Sequence, residues 1–512
     1  MSTIPIVVRH AGKKYEVLVD LDEPGEVFKY QLFSLTGVDP DRQKILVKGG
    51  QLKDDADMKA LGLKPNQALM MLGTAGELPK EPPVKTKFVE DMTDQQLALA
   101  TKSPIGLQNL GNTCYLNSTL QCLRVMPELG DELNLYAPAT ESMNGLSNSQ
   151  LTKGLRDLYR EMKLQTSAYY PMDFLQRLRL VFPQFAEQSE GRYKQQDAEE
   201  AFSQILAVVN ASLKSSRPDA PSFVEKYMTG RYTTEMKCLE SADEPIKKSI
   251  EPFSKLDCHI TGETNFLQDG LLKSLTENIE KHSDVLGRDA NFQLSKKIDR
   301  LPKYLTVHFM RFYWRRDTRK KSKILRKVTF PFELDVTDLC SDELKAKLVP
   351  VRDKVRELRK AKEEKVRAAK RARTALSDDT SAATPSAGPT ADAEIARLEG
   401  EVSAAVDPDL KLDEGGNSTG LYELIGIISH QGKSADSGHY QFWRKQEPAE
   451  ATEVPAGGRA TAVGTVSQKE EPKWWRFNDD KVSVVEQSKI ETMAGGGESD
   501  SALILLYRGI GF

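Results

Sequence analysis

Apolar and polar residues alternate through IPIVVRH (4–10) and again through KKYEVLVD (13–20), both rich in β-branched residues. Ala11-Gly12 separates them, and the pattern predicts a β-hairpin. Pro24-Gly25 then leads into EVFKYQLFSLTGV, where Val27, Leu32 and Leu35 fall near helical spacing and Gly37 stops the helix. KILVKG and ALMML read as two further short strands, so the order is strand, strand, helix, strand, strand. This first domain spans residues 4–76. A linker follows at 77–103, marked by Pro79, Pro82 and Pro83.

The second domain runs over 104–510, with insertions at about 345–418 and 446–472. The first insertion opens with KVRELRKAKEEKVRAAKRAR, opposite charges at helical spacing, and passes into SDDTSAATPSAGPTADAE, too polar to order itself by burial. The second, QEPAEATEVPAGGRATAVGTVSQKEEP, has the same character, and both read as surface insertions. Lys370-Arg371-Ala372-Arg373 reads first as a solvated helix face.

Length and charge narrow the function. A chain of 512 residues exceeds one compact core. A net charge of -3 with 29% charged residues gives no global field favouring nucleic acid or anionic lipid. No run of apolar residues is long enough for a membrane span, and the N-terminus lacks a secretory apolar core. The expected compartment is the cytosol, with nuclear access open. The five cysteines, Cys114, Cys122, Cys238, Cys258 and Cys340, are odd in number and form no CxxC pair, so neither a disulfide framework nor a zinc cage is expected. No cofactor is called for.

Chemistry concentrates in two places. In GLQNLGNTCYLNS (106–118) a glycine-bearing loop runs into a helical pattern with Leu116, Leu120 and Leu123 on one face. Asn112 or Thr113 can cap that helix, which puts Cys114 in its first turn. The positive end of the helix dipole there favours thiolate. Asn109, just before, can donate its amide to a developing oxyanion. A free cysteine is by default a small buried hydrophobe, the reading given to Cys122. The second place begins with the strand 422–429 and a Gly/Ser-rich loop. A strand opening SGHYQFW (437–443) and a return strand WWRF (474–477) follow, ending in Asn478-Asp479. If these last two pair antiparallel, His439 meets Asn478 or Asp479, a base with its orienting partner. His430 is the strongest competing histidine.

These residues resemble the ubiquitin-specific protease family. Gly106–Gln121 is similar to its cysteine box, and Ser437–Tyr440 with Trp475–Asp480 to its histidine box. Gln195-Gln196-Asp197-Ala198-Glu199-Glu200 is similar to a further signature, in which the acid matching Asp197 helps hold ubiquitin's tail. The resemblance implies an α+β chain: a papain-like catalytic domain of thumb, palm and fingers. It implies ubiquitin contacts at Asp197, Gln196 and Tyr440, and loops near Trp314–Lys323 and Gln431–Ser437 that move aside for the tail. Family members often have Asp at the position of Asn478, and the fingers here lack two cysteine pairs. Residues 37–47 and 50–55 resemble ubiquitin itself, which implies a β-grasp fold for the first domain with docking contacts at Leu46 and Leu72. By strand parity Leu46 faces away from Ile45 and Val47. After Leu72 the chain continues without ubiquitin's Gly-Gly ending. Such a domain ahead of this protease resembles the proteasome-associated branch, implying docking on the proteasome regulatory particle and trimming of ubiquitin from substrates held there. Two other readings compete: a catalytically weak ubiquitin-binding adaptor, and a protease for another ubiquitin-like modifier.

Overall fold

The computed structural model describes residues 3–48, 50–74, 93, 104–137, 143–216, 219–315, 320–378, 389–434, 437–447 and 472–511. Two compact units, Met1–Asp91 and Met92–Phe512, divide the chain. Thr93 apart, the linker lies outside the described residues, as do 448–471 of the second insertion and 379–388 of the first.

In the first unit, β1 (Thr3–His10) and β2 (Lys13–Asp20) form the expected hairpin. Ala11 and Gly12 turn it with positive φ, as a two-residue loop needs. Helix α1 (Gly25–Thr36) crosses the sheet, and Gly37 closes it in the left-handed region, its N–H donating to the Phe33 carbonyl at 2.8 Å. The helix face differs from the expected one: Phe28 and Leu32 are buried, whereas Val27 and Leu35 are exposed. The sheet takes its helix on a stripe one residue further along, where each buried side chain contributes about 1.5–3 kcal/mol. β3 (Lys44–Val47), β4 (Gly50–Gln51) and β5 (Gln67–Leu72) complete the order β2-β1-β5-β3-β4, with β1 and β5 parallel. This is the β-grasp arrangement.

The second unit joins a helical half to a sheet. Helix α2 (Cys114–Arg124) is enclosed over almost its whole length by α3 (Met143–Met162), α4 (Met172–Val181), α5 (Ala198–Ser216) and the sheet. Buried polar side chains of α2 bond to backbone: Thr119 donates to Tyr115 O and Gln121 to Ile105 O. The finger sheet contains β6 (Gly230–Cys238), β7 (Lys247–Phe253), β9 (Thr276–Ser283) and β10 (Arg288–Arg300) in the order β9-β10-β6-β7. Cys238, Ala290 and Phe292 form a small apolar cluster there.

The large sheet runs β8-β11-β19-β15-β16-β17-β18, with β14 paired to β15. Its strands are β8 (Leu256–His259), β11 (Tyr304–Met310), β14 (Glu333–Asp335), β15 (Leu421–Ser434), β16 (Ser437–Lys445), β17 (Lys473–Asn478), β18 (Lys481–Glu486) and β19 (Ser501–Gly509). A two-stranded hairpin, β12 (Phe312–Arg315) with β13 (Lys320–Lys323), stands beside it. Glu199 of α5 and Lys255, 2.5 Å apart, tie the helical half to the sheet half.

The first insertion is more ordered than its composition suggests. Helices α6 (Asp342–Asp378) and α7 (Pro389–Ala405) pack together and bury Val351, Val355, Leu358, Leu398 and Val402 with Leu421 and Ile510 of the main domain. The apolar residues are sparse but fall on one stripe of each helix, which mean composition conceals. The side chains of Lys370–Arg373 lie outside the described residues. Among the described residues no helix is long and apolar enough to cross a membrane.

Candidate active site

The pairing of β16 with β17 places Phe442 opposite Phe477 and Trp443 opposite Arg476. That register carries His439, at the start of β16, to the end of β17. His439 Nε2 lies 2.6 Å from Asn478 Oδ1. An amide oxygen only accepts, so Nε2 carries the hydrogen and Nδ1 keeps the lone pair. Between Asn478 and Asp479 the geometry selects Asn478 as the direct partner. Asp479 Oδ2 is 3.8 Å from His439 Nε2 and turns elsewhere. Its Oδ1 accepts from Asn117 Nδ2 at 2.8 Å and its Oδ2 from Asn109 Nδ2 at 2.9 Å. Asp479 has φ 51, and its carbonyl accepts from Leu107 N–H. A Cβ on Gly106 would collide with the carbonyls of Asp479 and Asp480, which accounts for glycine at the head of the loop. Gly438 is required for the same kind of reason: any side chain there would meet Gln431 O and His430 Nε2.

Cys114 opens α2 as expected, but neither candidate cap acts as one. Thr113 Oγ1 instead accepts from Leu110 N, and Asn112 donates to Tyr193 O from the left-handed region. The backbone amide of Tyr440, next to His439, bonds to Cys114 and so brings the thiol to the start of β16. The expected low thiol pKa is not found. Cys114 is 2% exposed, and burial pushes its thiol up to about 11, with the Asp479 charge acting the same way and the Tyr440 amide opposing. The helix end does not offset the loss of water. Burial alone pushes Cys122 higher still, and burial is the main cause that raises Cys258 and Cys340 to about 12. The thiol is therefore neutral at pH 7, and a nearby base is needed to use it. Alkylation of Cys114 by iodoacetamide should accordingly be slow at pH 7 and rise about tenfold per pH unit toward pH 10, as thiolate does below its pKa. Site-resolved mass spectrometry checks this; a rate already at its plateau at pH 7 would contradict it.

Asn109 has its oxygen occupied by Gly111 N–H at 3.0 Å and Thr113 N–H at 3.3 Å. Its amide nitrogen has two hydrogens and gives one to Asp479. Asn117 had no role assigned from sequence, yet it anchors the site through Leu107 O, Gln108 O and Asp479. The available signal was an Asn three residues after Cys114 on a helix face otherwise buried.

Other expected residues stand apart from this cluster. Asp197 accepts from Glu199 N–H at the head of α5. Gln196 donates to Gln184 O at 3.0 Å. The Tyr440 ring is buried, 4.7 Å between centroids from His430, so it presents no surface to a partner in this structure. His430 is fully enclosed, with Lys323 Nζ 3.1 Å from its Nδ1. Burial and the Lys323 charge push it down to about 3. It is a structural histidine under the hairpin β12–β13. The strand carrying it extends to Ser434, five residues beyond the predicted end, because Gly432, in the left-handed region, bulges the ladder and lets Ser434 pair with Ser437. Residues 316–319 and 435–436 of the two expected gating loops lie outside the described residues. In the first unit, Leu46 and Leu72 are 47% and 51% exposed, and Met70 joins Leu46 across the ladder.

The sequence pattern described as "Ubiquitin carboxyl-terminal hydrolase" matches residues 105–507, and that of the "Ubiquitin family" matches 6–76. "Ubiquitin carboxyl-terminal hydrolase 6" of Schizosaccharomyces pombe is 46% identical over 99% of this chain and 98% of its own length. "Ubiquitin carboxyl-terminal hydrolase 7" of Arabidopsis thaliana is 38% identical, over 99% and 98%. "Ubiquitin carboxyl-terminal hydrolase 14" of Caenorhabditis elegans is 34% identical, over 98% and 93%. With a buried thiol, an oriented imidazole and these full-length relatives, the chain belongs to the ubiquitin carboxyl-terminal hydrolase family of cysteine proteases and is a deubiquitinase carrying an N-terminal ubiquitin-like domain.

Proposed function

We propose that this deubiquitinase trims ubiquitin from conjugates held at the proteasome regulatory particle, with Cys114 as nucleophile, His439 as base and the ubiquitin-like domain as the docking element. The His439–Asn478 bond beside the thiol carries the catalytic assignment. His439 Nδ1 takes the proton from Cys114 Sγ, and the thiolate attacks the carbonyl carbon of ubiquitin's C-terminal glycine. The second Asn109 amide hydrogen, with backbone N–H at the head of α2, holds the oxyanion. As the tetrahedral intermediate collapses, the C–N bond breaks and His439 returns the proton to the leaving lysine amine. A water, giving its proton to His439, then attacks the thioester, and the thiol and ubiquitin's carboxylate are regenerated. Asn478 and Asp479 share the support: Asn478 fixes the imidazole, and Asp479 fixes Asn109.

Docking is assigned to the exposed apolar sheet face holding Leu46, Met70 and Leu72. Its support is the domain arrangement, which resembles the proteasome-associated branch of the family, and an apolar face with no contact that would explain it inside its own unit. The chain acts in the cytosol and the nucleus, where proteasomes work. Leu46→Asp combined with Met70→Ala should weaken binding to purified regulatory particle at least tenfold, since burying a new charge in an apolar contact costs more than about 1.4 kcal/mol. Turnover of a small ubiquitin substrate by the free chain serves as the reference. Undiminished binding of the double variant would remove the docking role.

The adaptor reading draws on one observation, the Cys114 thiol at about 11. It is the more protonated form of the same centre, and the free chain should accordingly be slow until ubiquitin or docking brings His439 and the thiol into productive contact.

A further inference from the structure

The head of the nucleophile loop is held from both sides. On one side Leu107 N–H donates to Asp479 O at 2.9 Å. On the other, Leu107 bridges Tyr169 in parallel: Gln108 N–H donates to Tyr169 O at 2.8 Å, and Tyr169 N–H to Gly106 O at 3.0 Å. Tyr169, the nucleophile loop and the chain leaving β17 therefore form one ribbon, three segments wide. Neighbouring side chains on an extended segment point to opposite sides. Tyr169 packs against the helical core, whereas Tyr170 is 53% exposed.

A single exposed tyrosine is ordinary on a protein surface. The setting of Tyr170 is not. Its neighbour is bonded to the nucleophile loop, Met172 N–H donates to its carbonyl at 3.0 Å, and buried Pro171 follows it and restricts its backbone. A tyrosine on backbone fixed in this way orders at little cost when a partner covers it.

The ribbon lies on the leaving-group side of the thiol. It carries Asn478, which orients His439, the group that returns a proton to the departing lysine amine. The other end of the nucleophile loop meets a different element: Asn112 donates to Tyr193 O, just ahead of Gln196 and Asp197, the pair expected to hold ubiquitin's tail. Two strand spacings separate the backbones of Asp479 and Tyr169, about 10 Å, a distance that about three extended residues span.

We propose that Tyr170 is a specificity-determining contact for the acceptor side of the substrate, its ring receiving the peptide segment that bears the ubiquitin-linked lysine. The proposal rests on the cleaving centre assigned above and extends it to the leaving group. The ring offers an apolar face to the lysine stem or to a side chain beside it, and the contact is continuous with the catalytic ribbon.

The test compares two substrates of the full chain. Ubiquitin ethyl ester has a leaving group too small to reach Tyr170; ubiquitin joined by an isopeptide bond to the lysine of a ten-residue peptide reaches it. Tyr170→Ala should lower kcat/KM for the peptide conjugate about tenfold, the loss of one aromatic anchor, and leave the ester within about twofold. Tyr170→Phe, which keeps the ring, should retain wild-type kcat/KM on both. Unchanged turnover of the peptide conjugate by Tyr170→Ala, or an equal loss on both substrates, would overturn the acceptor contact. A loss in Tyr170→Phe as large as in Tyr170→Ala would overturn the role of the ring. Turnover of both substrates by wild type, abolished in Cys114→Ala, keeps the cleaving centre whichever way Tyr170 falls.

Discussion

Replacing Cys114 with Ala should reduce ubiquitin hydrolysis by about 10,000-fold or more, because loss of the nucleophile of a covalent mechanism leaves only binding and oxyanion stabilisation. Ubiquitin affinity should persist, since the thiol is 2% exposed and offers a partner almost no surface. The four other cysteines are buried and unpaired and cannot substitute. His439→Ala should give a loss of similar order, and the Cys114→Ala/His439→Ala double variant should be no worse than either alone, as expected of groups acting as one unit. Steady-state hydrolysis of a fluorogenic ubiquitin substrate checks both. A double variant far below the singles would separate the two residues into independent roles.

The second large effect belongs to Asp479. Its carboxylate holds Asn109 and Asn117 in place, and its carbonyl holds the start of the nucleophile loop. Asp479→Ala should lower kcat about 100-fold, near the low end of what one oxyanion donor contributes, because Asn109 is no longer aimed. Asn109→Ala should cost a similar factor, and the two losses should fall well short of adding. A second readout moves the opposite way. Asp479 raises the Cys114 pKa, so its removal should shift the thiol's alkylation curve to lower pH even as turnover falls. Turnover wins because the charge is a smaller cause of that pKa than burial, whereas the oxyanion contact acts at the transition state. Wild-type kcat in Asp479→Ala would contradict the assignment.

The sequence made some elements legible and hid others, for identifiable reasons. The hairpin at Ala11-Gly12, the stop at Gly37 and the pairing of β16 with β17 are local or near-local, and turn residues with alternation suffice to find them. The choice of Phe28 over Val27 depends on how the helix lies on its sheet, which periodicity constrains only loosely. The ordered part of the 345–418 insertion escaped because a few apolar residues on one stripe outweigh a polar average. At the site, residue types pointed to Cys114, His439 and Asn109, and the tertiary structure decided the division between Asn478 and Asp479. The helix position of Cys114 is written in the sequence, and the desolvation that raises its pKa is not. The partner of Asn117 and the Lys323–His430 pair are not legible because the residues that meet lie hundreds of residues apart, or about a hundred.

The most direct test is reaction of the full chain with ubiquitin bearing a thiol-reactive group in place of its C-terminal carboxylate, followed by mass-spectrometric mapping of the adduct. The account predicts one adduct, at Cys114, lost in Cys114→Ala and sharply slowed in His439→Ala. An adduct at any other cysteine, or none while ubiquitin still binds, would contradict it.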